Sequence, residues 1–323
     1  MKSIKFTSSL AEEMKRFTEL KRICGTDYFS PAKLLCYFDR HLARQQFEGR
    51  ILKASDFQSY FDTIKHLCSR SFSNRYSVLR QFSIWLNQRQ PRSLVLQYRR
   101  TANRSHSRPA YIFTRDEIER ILHSSSSFAE HDEMIPGLYT TLFSLLYTTG
   151  IRIGEARALN FGDYIGDEKI LHIKKGKFRK ERYIVLSDSM QRRLNKYFER
   201  YRSVLPLKED SALFVNKRKK RLTHNNAWVA FIKVLDKAGI HKDKNSGPRL
   251  HDFRHTFAVH RLLQWYETQD NINAKLPLLS TYMGHVDIFS TQTYLGAAGE
   301  LLPAGYKRFY RFFSNNIKSG GIK

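Results

Sequence analysis

Cysteine is scarce in this chain. The 323 residues include only three, Cys24, Cys36 and Cys68, and no two of them form a C-x-x-C pair. An odd number of thiols without paired spacing argues against a disulfide framework of the kind that stabilises small secreted domains. We therefore expect all three cysteines to be reduced and to lie in the core of a cytoplasmic protein.

Long apolar stretches are also missing. No segment approaches the roughly 18 consecutive apolar residues that a membrane-spanning helix requires. The N-terminus carries no apolar segment of the kind found in a secretory signal peptide. The sequence has no internal repeat and no long stretch of low complexity. Neither membrane insertion nor export is expected.

Acidic residues are few relative to basic ones. Asp and Glu number 30 against 56 Lys and Arg, which gives a formal net charge of +26, and both halves of the chain share the excess. A hydrophobic content of 41%, with 13% aromatic residues, is typical of a folded protein. Such a positive field attracts polyanions, with an affinity that falls steeply as salt rises. The charge therefore predicts a DNA- or RNA-binding protein, and a generically basic protein, such as a ribosome-associated one, is the alternative.

The length of the chain favours two domains over one. The segment TANRSHSRPAYI is polar and basic, lacks apolar periodicity and contains Pro109, as linkers often do. We expect a helical domain over residues 1–104, a linker over residues 105–112 and a second domain over residues 113–323.

The first domain is predicted to be a bundle of four or five helices. Apolar residues recur at helical spacing in SPAKLLCYFDRHLARQ and again in NRYSVLRQFSIWLNQ, which ends before Pro91. Between them, SDFQSYFDTIKHL is expected to begin at Ser55 as its N-cap.

The second domain is predicted to be mainly helical with one small antiparallel sheet. Thr114 and Glu117 have the spacing of a capping box, and the apolar helix LYTTLFSLLYTT is expected to end at Gly150. The segments KILHIKK and RYIVLS are typical of strands, and the charged loop between them completes a hairpin. Further helices follow, two of which end at Gly239 and Gly284. The whole chain is thus expected to be mainly α (α+β).

Several side chains in the second domain are suited to holding a phosphate. Arginine binds phosphate oxygens through a planar, permanently charged fork, and Arg152 and Arg254 are the two candidates. His251 and Arg254 are three residues apart in RLHDFRHTFA, so both point from one helical face. Glu155 lies three residues after Arg152 and is suited to orienting that guanidinium. Each pair alone is also compatible with an ordinary surface contact.

A metal site is the alternative explanation for the histidines. His251 and His255 are four residues apart, which is the spacing of a helical zinc pair. The residue between them is Asp252, where zinc proteases have glutamate, and no third ligand follows downstream. We therefore expect neither a metal nor another cofactor, and we interpret His255 as a supporting residue of the site.

These motifs resemble those of the tyrosine recombinases of the phage integrase family. TTGIRIGEARAL, the hairpin KKGKFRKER, RLHDFRHTFA and YMGHVDIFSTQTYL match the family in order and approximate spacing across roughly residues 110–315. The chain is most similar to the two-domain, Xer-like type. The resemblance implies the fold of the DNA breaking-rejoining enzymes, with an N-terminal helical domain that binds the core site and a C-terminal catalytic domain with a tail.

The resemblance also assigns roles to residues. It implies that Tyr294, nine residues after His285, is the nucleophile, and that His285 completes the phosphate site. It assigns the proton for the leaving oxygen to a hairpin lysine, for which Lys175 is the best match. The remaining hairpin lysines stay open as competitors; they are Lys174, Lys177 and Lys180.

Family members act on double-stranded DNA with inverted core sites, as a dimer on each site and a tetramer in the synapse, without metal or ATP. We expect the same partners here, with a cytoplasmic, nucleoid-associated location and no membrane partner; accessory DNA-bending proteins are unknown. A type IB topoisomerase that relaxes DNA is the alternative with the same chemistry. A non-catalytic DNA-binding regulator is the alternative from another class.

Overall fold

The computed structural model describes residues 4–25, 28–99, 110–127, 137–174, 181–206, 208–240, 247–285, 291 and 294–295. These residues form two compact units that divide between positions 106 and 107. Most of the expected linker lies outside the described residues, as does the C-terminal tail after residue 295.

The first unit contains four helices within its described ranges: α1 (Ala11–Ile23), α2 (Phe29–Arg44), α3 (Ala54–Ile64) and α4 (Ser69–Asn87). Their apolar faces meet in one core. Phe17 of α1 contacts Phe82 of α4 edge to face, and Phe38 of α2 stacks on Phe57 of α3. Full burial of one such side chain stabilises a fold by roughly 1.5–3 kcal/mol, so these four rings hold the bundle together.

A fully buried carboxylate ties the N-terminal segment to this bundle. Asp39 of α2 accepts the backbone N–H groups of Thr7 at 2.7 Å and Ser8 at 3.0 Å. It also accepts hydrogen bonds from the hydroxyls of the same two residues. These four bonds compensate the cost of removing the charge from water.

The predicted start of α3 is wrong. The N-cap is Lys53 rather than Ser55, and Ser55 lies within the helix. The carboxylate of Asp56 accepts the backbone N–H of Lys53 at 2.7 Å, so the acidic residue in the first turn sets the helix start.

The expected burial of the cysteines is correct for one residue only. All three are free thiols, but Cys24 and Cys68 are exposed and only Cys36 is buried. Cys24 and Cys68 flank helices α1 and α4, where the chain passes over the surface.

The second unit is built around helices. In the described ranges these are α5 (Arg115–Ser126), α6 (Leu138–Thr149), α7 (Ile153–Ala158), α8 (Asp188–Arg202), α9 (His224–Lys237), α10 (Asp252–Glu267) and α11 (Ile272–Met283). The capping box that begins α5 is confirmed, because Thr114 Oγ1 accepts the Glu117 N–H at 3.1 Å and the Glu117 carboxylate accepts the Thr114 N–H at 2.8 Å. No helix within the described ranges is long and apolar enough to cross a bilayer.

A three-stranded antiparallel sheet lies beside these helices. Strands β1 (Tyr164–Ile165), β2 (Ile170–Ile173) and β3 (Arg182–Val185) pair in the order β1-β2-β3. Ile173 of β2 lies opposite Arg182 of β3, which confirms the predicted hairpin. β1 was not predicted, because two residues are too few to show an alternating pattern.

The core of the second unit surrounds α6. Ten of its twelve residues are buried, as expected for a mostly apolar helix. Phe143 of α6 contacts Phe231 of α9 and Phe253 of α10. A smaller apolar cluster joins α10 to α11 and includes Phe257 and Tyr294. The fold class, mainly helical with a small antiparallel sheet, is confirmed.

Candidate active site

Glycine at position 150 permits the turn that places Arg152. Gly150 ends α6 with a φ of 62°, in the left-handed region that favours glycine. A Cβ at this position would lie 2.3 Å from the ring of Phe257, so the site has no room for a side chain. The chain then enters α7 directly, with Arg152 as its N-cap.

Glu155 accepts hydrogen bonds from two arginines. The backbone N–H of Arg152 donates to one oxygen of the Glu155 carboxylate at 2.9 Å. Nη1 of Arg152 donates to the other oxygen at 2.8 Å. Arg182 donates from Nη1 and Nη2 to the two carboxylate oxygens at 3.1 and 2.8 Å. Burial raises the pKa of the Glu155 carboxyl, but the hydrogen bonds and charges of Arg182 and Arg152 outweigh burial and hold that pKa below its ordinary value. Glu155 therefore remains ionised between the two guanidiniums.

Arg254 is almost completely buried, with 2% of its surface exposed. Its Nη1 donates to the backbone carbonyl of Gly150 at 2.7 Å, and its Nη2 donates to that of Met283 at 2.6 Å. Its positive charge also acts on the Tyr294 phenol and lowers the pKa of that group. Burial and then the charge of Arg152 lower the pKa of the Arg254 guanidinium to about 10, so the group is still charged at neutral pH.

Three arginines donate to consecutive backbone carbonyls at the C-terminal end of α11. The pairs are Arg182 Nε to Tyr282 at 2.9 Å, Arg254 Nη2 to Met283 at 2.6 Å and Arg152 Nη2 to Gly284 at 3.0 Å. The last carbonyls of a helix have no partner within it and carry partial negative charge. This helix end therefore brings three like-charged groups together at lower electrostatic cost.

Tyr294 lies inside this group of side chains and is 6% exposed. Its ring centroid is 5.4 Å from that of His255 and 6.1 Å from that of His285. Burial raises the pKa of the Tyr294 phenol, and the opposing effects of Arg254 and Arg152 do not fully cancel it. In the absence of DNA the phenol is thus protonated at neutral pH.

His285 is held by the turn that follows α11. Gly284 ends that helix in the left-handed region, and the His285 N–H donates to the Ser280 carbonyl at 3.0 Å. Nδ1 of His285 lies 2.6 Å from Oγ1 of the buried Thr291. A hydroxyl that donates to Nδ1 leaves the ring proton on Nε2, where it is available to a phosphate oxygen.

His251 and His255 lie beside each other at the start of α10, with ring centroids 4.7 Å apart. His251 is exposed on one side, but protein atoms surround the rest of its ring. That partial burial, with the charges of His255 and Arg254, lowers the His251 pKa to about 4. The pKa of His255 is also lowered, chiefly by burial, and its buried Nδ1 has no hydrogen-bond partner among the described residues. Both rings are therefore neutral at neutral pH.

Among the described residues, no third ligand joins the histidine pair. In the part of the chain that the structure describes, histidine, cysteine and carboxylate side chains form no group of three or more that could hold a metal ion. His251 and His255 instead contact each other edge to face.

The hairpin lysines are only partly described. Lys175 lies in the segment 175–180, outside the described residues, together with Lys177 and Lys180. Lys174 is described, and its Nζ lies 2.7 Å from the Asp163 carboxylate. The hydrogen bond and charge of Asp163 raise the pKa of Lys174, which makes this lysine a weaker acid.

Sequence reasoning did not single out Arg182 or Thr291. Arg182 follows a charged loop and has the pattern of an ordinary basic residue at a strand start. Its partner Glu155 is 27 positions away, and their contact depends on how β3 packs against α7. A repeated pairing of arginine with a buried glutamate across related sequences would be the signal that could find it.

The second unit matches a known family over most of its length. The model described as the phage integrase family matches residues 112–300, which is more than half of the chain. The protein y4rE of Sinorhizobium fredii, whose name describes an integrase/recombinase, is 28% identical over 307 residues, which cover 94% of this chain and 97% of that protein.

Two solved structures share the fold. The XerH site-specific recombinase bound to a palindromic difH substrate, in a post-cleavage complex, has a TM-score of 0.64 at 19% identity and covers 94% of this chain and 85% of that one. A lambda integrase(75–356) dimer bound to a COC′ core site has a TM-score of 0.55 at 16% identity and covers 86% and 96%. With a family match over more than half of its residues and a relative aligned along nearly its full length, this chain belongs to the phage integrase family and is a site-specific tyrosine recombinase.

Proposed function

We propose that Tyr294 attacks the scissile phosphorus of a DNA strand and forms a 3′-phosphotyrosine bond while the bond to the 5′-oxygen breaks. The phenol proton passes to water as its oxygen bonds to phosphorus, and the released 5′-oxygen takes a proton from a hairpin lysine. Rejoining reverses these steps with a 5′-hydroxyl as the nucleophile. Since one phosphodiester replaces another, the reaction needs no ATP. The observation that carries the proposal is the placement of Tyr294, which is buried against the rings of His255 and His285 and is acted on by the charges of Arg254 and Arg152.

Arg152 and Arg254 are suited to bind the two non-bridging oxygens of the scissile phosphate. The pentavalent transition state concentrates negative charge on these oxygens, and donors fixed in advance stabilise that charge most effectively. Both guanidiniums are fixed by backbone carbonyls, and Arg152 also by Glu155. Little reorganisation is then required when the phosphate enters.

The histidines contribute as hydrogen-bond donors in this proposal. His285, with Thr291 at Nδ1, offers Nε2–H to a phosphate oxygen, and His251 offers one N–H from the edge of the site. His255 supports them by packing between His251 and Tyr294.

Lys175 is the proposed donor of the proton to the leaving 5′-oxygen. Among the competing lysines, Lys174 is engaged with Asp163, which supports assigning the role elsewhere in the loop. A lysine is suited to this step because it acts as a general acid with a proton held close to the leaving oxygen.

We further propose that residues 1–104 bind the core site and residues 113–323 cleave it. The substrate would be duplex DNA with inverted core sites, bound by one dimer per site and by a tetramer in the synapse. The net charge of +26 supports a DNA partner. The palindromic DNA of the XerH complex and the dimer of the lambda integrase complex support the two-fold arrangement.

Trapping of the covalent intermediate tests the chemistry. Duplexes are first selected from a randomised pool by binding to the Tyr294→Phe protein. The selected duplex is then nicked at successive positions and incubated with the wild-type protein. A short strand released at the nick diffuses away, so cleavage should leave a protein–DNA adduct that resists SDS.

The controls separate the nucleophile from other tyrosines. Tyr294→Phe should give no adduct, whereas Tyr147→Phe should still give it, because the Tyr147 hydroxyl is bonded to His260 outside the site. An adduct from the Tyr294→Phe protein would refute the assignment. Efficient relaxation of a supercoiled plasmid that lacks the selected site would indicate a topoisomerase instead.

A further inference from the structure

Arg182 contacts two parts of the site at once. Its two terminal nitrogens donate to both oxygens of Glu155, and its Nε donates to the carbonyl of Tyr282. Only 11% of the side chain is exposed, so these charged hydrogen bonds are shielded from water. Arg182, the first residue of β3, thereby links this strand to α7 and to the end of α11.

Because Gly284 has no side chain, the guanidinium of Arg182 can pack against its backbone. A Cβ on Gly284 would lie 3.0 to 3.2 Å from Nη1, Cζ and Nε of Arg182, which is closer than ordinary van der Waals contact. The guanidinium therefore packs directly against the turn that leads into His285. A change in the position of Arg182 would shift that turn.

The charges of the three side chains explain why a second arginine is useful. Glu155 alone with Arg152 would form a neutral pair, and the attraction of Arg152 for a phosphate would be weakened. With Arg182 on the same carboxylate, the three groups carry one net positive charge. Arg152 can then be oriented by Glu155 without having its charge cancelled.

We propose that Arg182 is a positioning residue for strand cleavage, holding Glu155 and the C-terminal end of α11 so that Arg152 presents its charge to the scissile phosphate. This inference rests on the proposed function of Tyr294 and Arg152. Arg182 itself does not touch the reacting atoms in this scheme. It acts through Glu155 and through the turn before His285.

Single-turnover cleavage of the selected nicked duplex tests this role. Arg182→Gln should slow cleavage about 100-fold, since a small displacement of a positioned group has effects of this size. Binding of the same duplex should change less than about threefold, because the net charge of the protein changes by only one. Arg182→Lys should recover part of the rate, as an ammonium keeps the charge but cannot reach both oxygens of Glu155 and the Tyr282 carbonyl together.

The pH dependence of cleavage distinguishes positioning from a purely structural role. Arg182 helps to hold the Glu155 pKa low, so its loss should raise that pKa and move the acid limb of the cleavage rate to higher pH. Arg182→Lys should show a smaller displacement of the same limb. If Arg182→Gln fails to fold, the acid limb of Arg182→Lys decides the question.

Arg120→Gln is the matched control. Arg120 also bonds one carboxylate and one carbonyl, those of Asp116 and Ala238, and neither partner is one of the side chains of the candidate site. Its variant should keep the wild-type rate and pH profile.

The outcomes separate the two proposals. A wild-type rate and pH profile for Arg182→Gln, or a loss of cleavage that only parallels unfolding with no displacement of the acid limb, would overturn the role of Arg182 alone. Failure of the wild-type protein to form any adduct would overturn the proposed function and this inference with it.

Discussion

Arg152 forms two hydrogen bonds with Glu155: its backbone N–H donates to one oxygen of the carboxylate and its side chain donates to the other. One short stretch of chain thereby fixes both the start of α7 and the direction of a guanidinium. The carboxylate is 5% exposed, so little water competes for these bonds.

Glu155→Gln should destabilise the protein by about 3 kcal/mol at neutral pH, because two partly buried arginine side chains lose a buried counter-ion. The folded-state pKa of Glu155 is lowered, so its contribution is complete above the ordinary value of 4.5 and is lost as pH falls through the lowered value. Urea unfolding of wild type and variant should therefore show a difference that shrinks below that pH. Glu119→Gln, on the exposed face of α5, serves as the control and should change stability little. A difference that grows on acidification would contradict the assignment.

Arg152→Ala and Arg254→Ala should each reduce single-turnover cleavage by at least about 100-fold, because each removes a donor to the transition-state phosphate. DNA binding should weaken only mildly, since most of the positive charge remains. Gel-shift titration and adduct formation on the selected duplex measure the two effects separately. Arg115→Ala, whose side chain is largely exposed, should retain cleavage. Strong loss of DNA binding with residual cleavage would contradict the role of the two arginines in stabilising the transition state.

Gly150→Ala should destabilise the second unit more than Gly239→Ala. Both glycines have left-handed backbones, with φ of 62° and 63°, so both variants incur about 1–2 kcal/mol of backbone strain. Only at Gly150 does the added Cβ overlap the Phe257 ring, which should add roughly 1–3 kcal/mol. Urea unfolding of the two variants isolates the steric part. Equal destabilisation would mean that the ring moves away freely.

EDTA should leave adduct formation by the wild-type protein unchanged. In the proposed chemistry the permanent charges of Arg152 and Arg254 stabilise the phosphate, which is the task that a divalent cation performs in other phosphoryl-transfer enzymes. The measurement is the initial rate of adduct formation with chelator, and again after excess Mg²⁺ is restored. A loss that Mg²⁺ reverses would show that the arginines are not sufficient.

Short-range features of the fold were predictable from the sequence. The Thr114–Glu117 cap and the helix ends at Gly150 and Gly284 follow from interactions within one or two turns of chain. The prediction failed locally at Ser55, because the neighbouring Asp56 can also bond the backbone at the helix start. Its carboxylate accepts the backbone N–H of Lys53, and the helix therefore begins before Ser55.

Burial was predicted less well than helix type. A free cysteine is compatible both with a core position and with a surface turn. Only the packing of the bundle determines that Cys36 is buried while Cys24 and Cys68 are exposed. Periodicity indicates which face of a helix turns inward, but residues beyond the helix ends have no such pattern.

The sequence by itself determined the inventory of the site: the fixed spacings of Arg152 from Glu155 and of His251 from Arg254, and a positive charge suited to DNA. Only the tertiary structure decided that Arg182 shares Glu155, and that the end of α11 gathers three guanidiniums. The physical reason is distance along the chain. Helical spacing is set by local hydrogen bonds, whereas contacts between segments tens of residues apart exist only once the core has packed them together.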